Sequence, residues 1–346
     1  MGVLQPHAPI EVTDTSSPPG HVAHLGSARD PDPKKGRSRM ADPKRFVTDD
    51  KNGRLSEPCL DLTLFGNSDP EIIAPGLSAC LEVLDAEIGD KLGYYAKNNM
   101  KRHAAADKDT LSSIAREVSR TDFERKPTLA FTSHSGQTPK DTRVPAIEFE
   151  IYAIKTMPSR HFLRFCTPWS ADASAVRSFR NTAMELAQKF DYLHGYAGVG
   201  TFWNSLDTSR TRDFLKTYRG WLLRHKGLIH GVPSNLSPTA RSGLVDVNWL
   251  TFIRDEAIAS MGGESELTER LPEDAELVRF GDGRAMLQAG PRPLLGDVSG
   301  GERVDHYDEV ARLLEPLFAP ARARSGTWVE GLSEGEMTRW MNRHFE

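Results

Sequence analysis

The sequence predicts an α+β fold: a mainly antiparallel sheet, or sheets, packed with several amphipathic helices. Three observations lead there. Short segments alternate apolar and polar residues, as half-buried strands do. The links between several of them are too short for a parallel crossover. Between these segments lie longer stretches whose apolar residues recur at three- and four-residue steps, the signature of helices with one buried face. Regular βαβ alternation, which would indicate a doubly wound sheet, is absent.

Residues 1–45 are rich in Pro, Gly, Ser and Asp and end near the basic run Lys34-Lys35-Gly36-Arg37-Ser38-Arg39. Such a stretch buries too little apolar surface to offset its ordering entropy, and it reads as a disordered, solvated tail. The main domain is expected over 46–330. Leu60, Leu62 and Leu64 alternate with Asp61 and Thr63, which predicts a strand with one buried face. A helix follows over about 75–95, with Leu77, Leu81, Leu84, Ile88, Leu92 and Tyr95 on one stripe. Residues 98–126 are polar and weakly helical, an excursion that can dock Leu111, Ile114 and Val118. Three strands come next, marked by Leu129 and Phe131, by Ile147, Phe149, Ile151 and Ala153, and by Phe162 to Cys166. Met157-Pro158-Ser159-Arg160 suits a hairpin turn between the last two.

A helix is expected over 172–190 with Val176, Phe179, Ala183, Leu186 and Phe190 inward, then a strand from His194 to Phe202. Residues 209–225 read as a helix burying Phe214, Tyr218, Trp221 and Leu222, ended by Gly227 and Gly231-Val232-Pro233. Asn248 suits the N-cap of another helix, with Leu250, Ile253, Ile258 and Met261 inward and Gly262-Gly263 as its stop. Residues 276–288 form a hairpin pattern around Gly281-Asp282-Gly283. Asp305 opens a helix with Tyr307, Val310, Leu314 and Leu317 inward, bent at Pro316. Residues 331–346 add a C-terminal helix around Trp340.

Composition narrows the function. The 346 residues carry 38% hydrophobic and 27% charged side chains and a formal net charge of −4. A general nucleic-acid binder needs a cationic surface to displace phosphate counterions, so direct nucleic-acid binding is not expected. No run approaches the roughly 20 apolar residues of a membrane span. The N-terminus lacks a basic start followed by an apolar run, so the expected location is cytoplasmic. Cys59, Cys80 and Cys166 are odd in number and widely spaced, which favours buried free thiols over a disulfide framework or a thiolate zinc site.

Motifs that could carry chemistry are weak. Gly195-Tyr196-Ala197-Gly198-Val199-Gly200 has its glycines in the order G-x-x-G-x-G within an apparent strand, not the dinucleotide order between strand and helix. Close backbone packing explains them better. No P-loop and no HExxH occurs. His225 and His230 read as surface or capping residues, His161 as exposed and His194 as a hydrogen-bonded core residue. Ser133-His134-Ser135-Gly136 lacks the nucleophile elbow and reads as a flexible polar loop. Glu148 and Glu150 share a strand face, which suits either an acid–base pair or a solvated sheet surface. No catalytic, metal or cofactor residue is assigned. Between Glu264 and Glu315 there are thirteen acidic and six basic residues, a local net charge of −7 that can steer a cationic partner.

Two segments, taken together, resemble the type VI immunity protein family (TsiV-like), formerly a domain of unknown function. They are His194-Gly195-Tyr196-Ala197-Gly198-Val199-Gly200 and Val247-Asn248-Trp249-Leu250-Thr251-Phe252, which leads through Asp255 to Gly262-Gly263. The resemblance spans Pro58 to about Phe318, and the N-terminal tail departs from the compact family pattern. It implies an immunity protein that binds and neutralises a cognate toxin of the type VI secretion system, a nuclease-type effector acting in the cytosol, by blocking its active site. The motif residues look structural, so no catalytic role is carried over. Asp297, Glu302, Asp305, Asp308 and Glu309 are the expected partner-binding residues, with a toxin protein as the partner and self-association as a homodimer left open. A small-molecule enzyme using the glycine strand with Glu148 and Glu150, or an adaptor of a secretion assembly, are the alternatives.

Overall fold

Alternating burial along the sequence organises one large sheet. The structure, a computed structural model, describes residues 43–319 and 332–346 except 52, 68, 99, 101, 155–159, 204–207 and 282; the side chains of 43, 44 and 208–213 also lie outside it. The strands are β1 (Thr48–Asp50), β2 (Gly53–Gly66), β3 (Tyr94–Lys97), β4 (Ala104–Ala105), β5 (Thr128–His134), β6 (Ala146–Tyr152), β7 (Arg160–Pro168), β8 (Tyr192–Trp203), β9 (Leu250–Arg254), β10 (Ala275–Arg279) and β11 (Arg284–Ala289). They form an 11-stranded sheet in the order β10-β11-β9-β8-β2-β7-β6-β5-β3-β4, with β1 paired to β2. Each of these pairings is antiparallel. The α+β expectation holds.

The helices are α1 (Pro70–Ile88), α2 (Thr110–Arg120), α3 (Ala173–Lys189), α4 (Thr208–Arg224), α5 (Pro233–Ala240), α6 (Asp255–Ser260), α7 (Glu264–Glu269), α8 (Asp305–Leu313) and α9 (Glu334–Met341). Asp69 and Asp172 cap α1 and α3 by accepting from the backbone N–H groups of Glu71 and Ser174. The stripe of α3 meets the sheet where Phe179 stacks on Phe165, at 6.2 Å between ring centroids. α1 is tied to α3 by the Cys80 thiol donating to Leu186 O, and to α2 by Ser78 Oγ donating to Ala115 O. On the opposite face His194 bonds Ala240 O at the end of α5. The C-terminal helix enters the same core, where the rings of Trp340 and His230 lie 5.5 Å apart.

Several elements differ from the sequence reading. The strand with Leu60, Leu62 and Leu64 is buried on both faces, since Asp61 and Thr63 are also inaccessible. Pro75, read as a helix start, lies inside α1 and forgoes one backbone bond. Tyr95, read as the last residue of that stripe, belongs to β3. The polar stretch 98–126 agrees with the reading, since α2 buries Leu111, Ile114 and Val118. Pro233 starts α5 rather than only ending α4. The largest correction concerns Val247–Phe252. Asn248 caps no helix: Leu250–Arg254 is strand β9, and only Asp255–Ser260 is helical before the left-handed Gly262 and Gly263 stop it. The basic run Lys34–Arg39, residues 1–42 of the expected tail, the expected turn residues 157–159 and Asp282 lie outside the described residues.

Candidate partner-binding surface

The expected acidic residues gather around one concavity of about 420 Å³ lined by the loop after Val298, by α8 and by the C-terminus. Glu302, Asp305, Asp308 and Glu309 line it, joined by Glu346. Lys226, Arg303 and Arg312 also line it, so the surface is acidic in balance but mixed in sign. Arg303 and Arg312 belong to the stretch already counted, whereas Lys226 does not. Lys226 lies far away in sequence, and no spacing signal links it to the acidic region.

Local structure explains why these groups converge. Leu295–Asp297 is zipped against the end of α4: Lys226 N donates to Gly296 O at 3.1 Å and Gly227 N to Leu295 O at 2.8 Å. Gly296 and Gly301 turn the chain through left-handed backbone, with φ of +67° and +70°. α8 then presents Asp305, Asp308 and Glu309 while Tyr307 and Val310 are buried. Tyr307 also accepts the Leu294 N–H on its hydroxyl, which fixes α8 to the preceding loop.

The five acids divide by environment. Asp297 lies just outside the lining, in a fork with Arg224 at 2.7 and 2.5 Å. That guanidinium, with the Gly300 N–H, holds its carboxyl down to about 2. Asp308 accepts from His344 Nδ1 at 2.8 Å and faces Lys226 Nζ at 3.6 Å. Asp305 pairs with exposed Arg303 at 2.8 Å, and Glu302 accepts the Asp297 N–H. Glu309 is exposed and has no ion-pair partner among the described residues. Elsewhere in the acidic region, Glu264, Glu266, Asp274 and Glu276 face Arg279, Arg270, His306 and Arg180. Among the described arginine and lysine partners, only Arg180, Arg224 and Lys226 come from outside this stretch, so they offset part of the −7 bias.

The other candidates turn out to be structural. Glu148 meets Arg164 at 3.4 Å, and burial raises its carboxyl above the usual range. Glu150 sits 3.9 Å from Arg160 and is also raised by burial. Beneath them Arg164 is fully buried. It donates to both oxygens of Asp61, to Gly231 O at 2.8 Å and to Thr201 O at 3.1 Å. The donor atoms of Cys59, Asp61 and Cys166 lie within 4.8 Å of one another, the spacing a metal would need. The chemistry is unsuitable: Asp61 is occupied by Arg164, and burial beside Cys166 pushes the Cys59 thiol well up, so it stays protonated. All three cysteines are free and buried.

His161, in β7, is buried rather than exposed; His225 and His230 are buried too, and the His225 ring bonds Trp221 O at the end of α4, as a capping residue does. Ser133 and His134 are not in a flexible loop; they end β5 in the interior. His194 is the buried, hydrogen-bonded residue expected. The glycine strand serves close packing: a Cβ on Gly198 would run into the Asn248 carboxamide, and one on Gly200 would meet the Asp61 carboxylate. The two segments that carry the family resemblance thus touch. Asn248 donates to Gly227 O at 3.0 Å and accepts from Trp249 N, while the Trp249 indole donates to Gly290 O. No described helix is long and apolar enough to cross a membrane.

Comparison with known proteins agrees with this architecture. The Pseudomonas aeruginosa T6SS protein PA0821 superposes with a TM-score of 0.72 at 19% identity, over 87% of this chain and 88% of that one, and so shares the fold. No curated protein matches the sequence significantly. The family described as type VI immunity for VRR-NUC matches residues 76–344, taking in the glycine strand, the Asn248–Trp249 segment, the concavity and α9. The chain belongs to that family, TsiV.

Proposed function

We propose that the chain binds a VRR-NUC nuclease toxin of the type VI secretion system in the cytoplasm and neutralises it by covering its active site, without chemistry of its own. The observation that carries this reading is the acidic concavity, whose lining apart from Glu346 lies within the family-matched region. A nuclease site presents cationic groups for phosphate, and carboxylates set on a rigid rim compete for those groups. The direct contacts fall to exposed Glu309 and to Asp305, whose partner Arg303 is itself exposed, with Glu302 beside them on the same rim. Asp297 and Asp308, engaged by Arg224 and by His344, shape the rim.

An antidote must outcompete substrate at low concentration, which calls for affinity near 1 nM, about −12 kcal/mol. An interface of roughly 1,600 Å² reaches that when a few anchors are well buried. The concavity is one part of such an area.

Co-expression with a cognate VRR-NUC toxin tests the reading. Growth rescue, co-purification and loss of nuclease activity in the complex are expected. A toxin that stays active in the presence of a stoichiometric excess of this chain would overturn it.

A further inference from the structure

We infer that Arg224 is a positioning residue for partner binding: its fork on Asp297 pre-sets the loop that carries Glu302, although Arg224 itself does not line the concavity. The inference rests on the concavity being the toxin-facing surface.

The loop between Leu295 and Val304 holds little regular structure, one 3-10 turn at Val298–Gly300. Its two left-handed glycines leave it many alternative conformations, so its ordering needs a source. Backbone bonds from Lys226 and Gly227 anchor its start, and beyond Asp297 a short chain of contacts orders the rest. Arg224 Nε and Nη2 grip both oxygens of Asp297. The same carboxylate accepts the Gly300 N–H at 3.0 Å. The Asp297 backbone then fixes Glu302 twice: its N–H donates to Glu302 Oε2 at 3.2 Å, and its carbonyl accepts the Glu302 N–H at 3.0 Å. Glu302 is held by Asp297, and Asp297 is held by Arg224. Val298, 55% exposed, stands at the tip of the same turn and lines the concavity. An apolar tip beside carboxylates suits a partner whose cationic groove is flanked by an apolar depression.

A loop already in its bound shape spares the complex the cost of ordering it, so the clamp contributes affinity without touching the partner. Lysine cannot reproduce a two-toothed grip, because its ammonium is a single point charge.

The test is a double-mutant cycle read by the Kd for the purified, catalytically inactivated VRR-NUC toxin. Arg224→Gln and Asp297→Asn are each expected to weaken binding about tenfold. The double variant should be no weaker than the poorer single, since both remove one clamp. Arg224→Lys should fall between wild type and Arg224→Gln. Amide hydrogen exchange at Val298–Glu302 should quicken in the free variants while α8 and the sheet keep their protection. Unchanged affinity of Arg224→Gln, or losses that simply add in the double variant, would overturn the clamp while leaving the immunity reading intact. A wild-type chain that fails to bind the toxin would overturn both.

Discussion

At the scale of single residues, the interior is organised by polar groups that alternation of apolar residues does not reveal. Arg164 is 1% exposed and answers Asp61, which is fully buried. Removing one member leaves the other charge without compensation in a medium of low polarity. Arg164→Met should therefore cost about 3–5 kcal/mol of stability, measured by urea unfolding. A loss below about 1 kcal/mol would mean that water reaches Asp61. Histidines add a pH dependence of predictable sign. Burial lowers His194 to about 4 and His230 to about 3, so both are neutral in the fold at pH 6. The unfolded chain takes up these protons first, below about pH 6.5, so stability falls on acidification until the folded-state values are passed. Each histidine contributes a slope of at most about 1.4 kcal/mol per pH unit. Glu148 and Glu150, raised by burial, act in the opposite sense, because the fold binds their protons before the unfolded chain does. His194→Gln isolates one contribution. Its stability should decline less steeply than wild type between pH 6 and 4.5, and an identical slope would show that His194 carries no part of it.

At the scale of elements, capping and periodicity decide how much the sequence discloses. α9 begins with a capping box in which Ser333 accepts from the Glu336 N–H and Glu336 accepts from the Ser333 N–H. Glu336 also receives Arg219 from α4, which fastens the C-terminal helix to the domain. Ser333→Ala should lower stability by about 1 kcal/mol in urea unfolding, through the lost N-cap. A neutral effect would mean that packing of Trp340 and Met337 alone holds this helix. Elements with a clean period were legible: the stripe of α3, the three strands β5 to β7 and the hairpin β10–β11 fall within a few residues of where alternation puts them. Val247–Met261 was not, and the reason is physical. Leu250, Ile253, Ile258 and Met261 are all buried, so the apolar spacing suits one helix stripe. The chain instead changes from strand to helix at Arg254, because β9 pairs with both β8 and β11. Pairing partners remote in sequence outrank local period. Asn248, a good N-cap by type, is used for its carboxamide to join Gly227 and Trp249. The candidate surface was half legible: its carboxylates show as a charge bias, whereas Lys226, Arg224 and His344 come from elsewhere in the chain and leave no such mark.

At the scale of the whole molecule, the net charge of −4 is too small to define a partner, so placement of the unbalanced carboxylates matters more than their total. Six of the thirteen acids between Glu264 and Glu315 meet an arginine or lysine among the described residues, and such exposed pairs add little field at a distance. Among the described residues Glu309 lacks one, and Asp305 pairs with the 80% exposed Arg303. These two residues, on the rim they share with Glu302, would dominate the field felt by an approaching cationic surface. Long-range attraction of this kind raises the association rate more than it slows dissociation. Reversal to lysine at Glu302, Asp305 and Glu309 together should therefore reduce kon for the VRR-NUC toxin by about tenfold or more at low ionic strength. The gap should narrow at 0.5 M salt, where screening removes steering beyond a few ångströms. Stopped-flow association across a salt series separates the possibilities. If the triple variant associates as fast as wild type at low salt, the toxin docks elsewhere on the chain. If the deficit persists unchanged at high salt, these carboxylates act through short-range contact and do not steer.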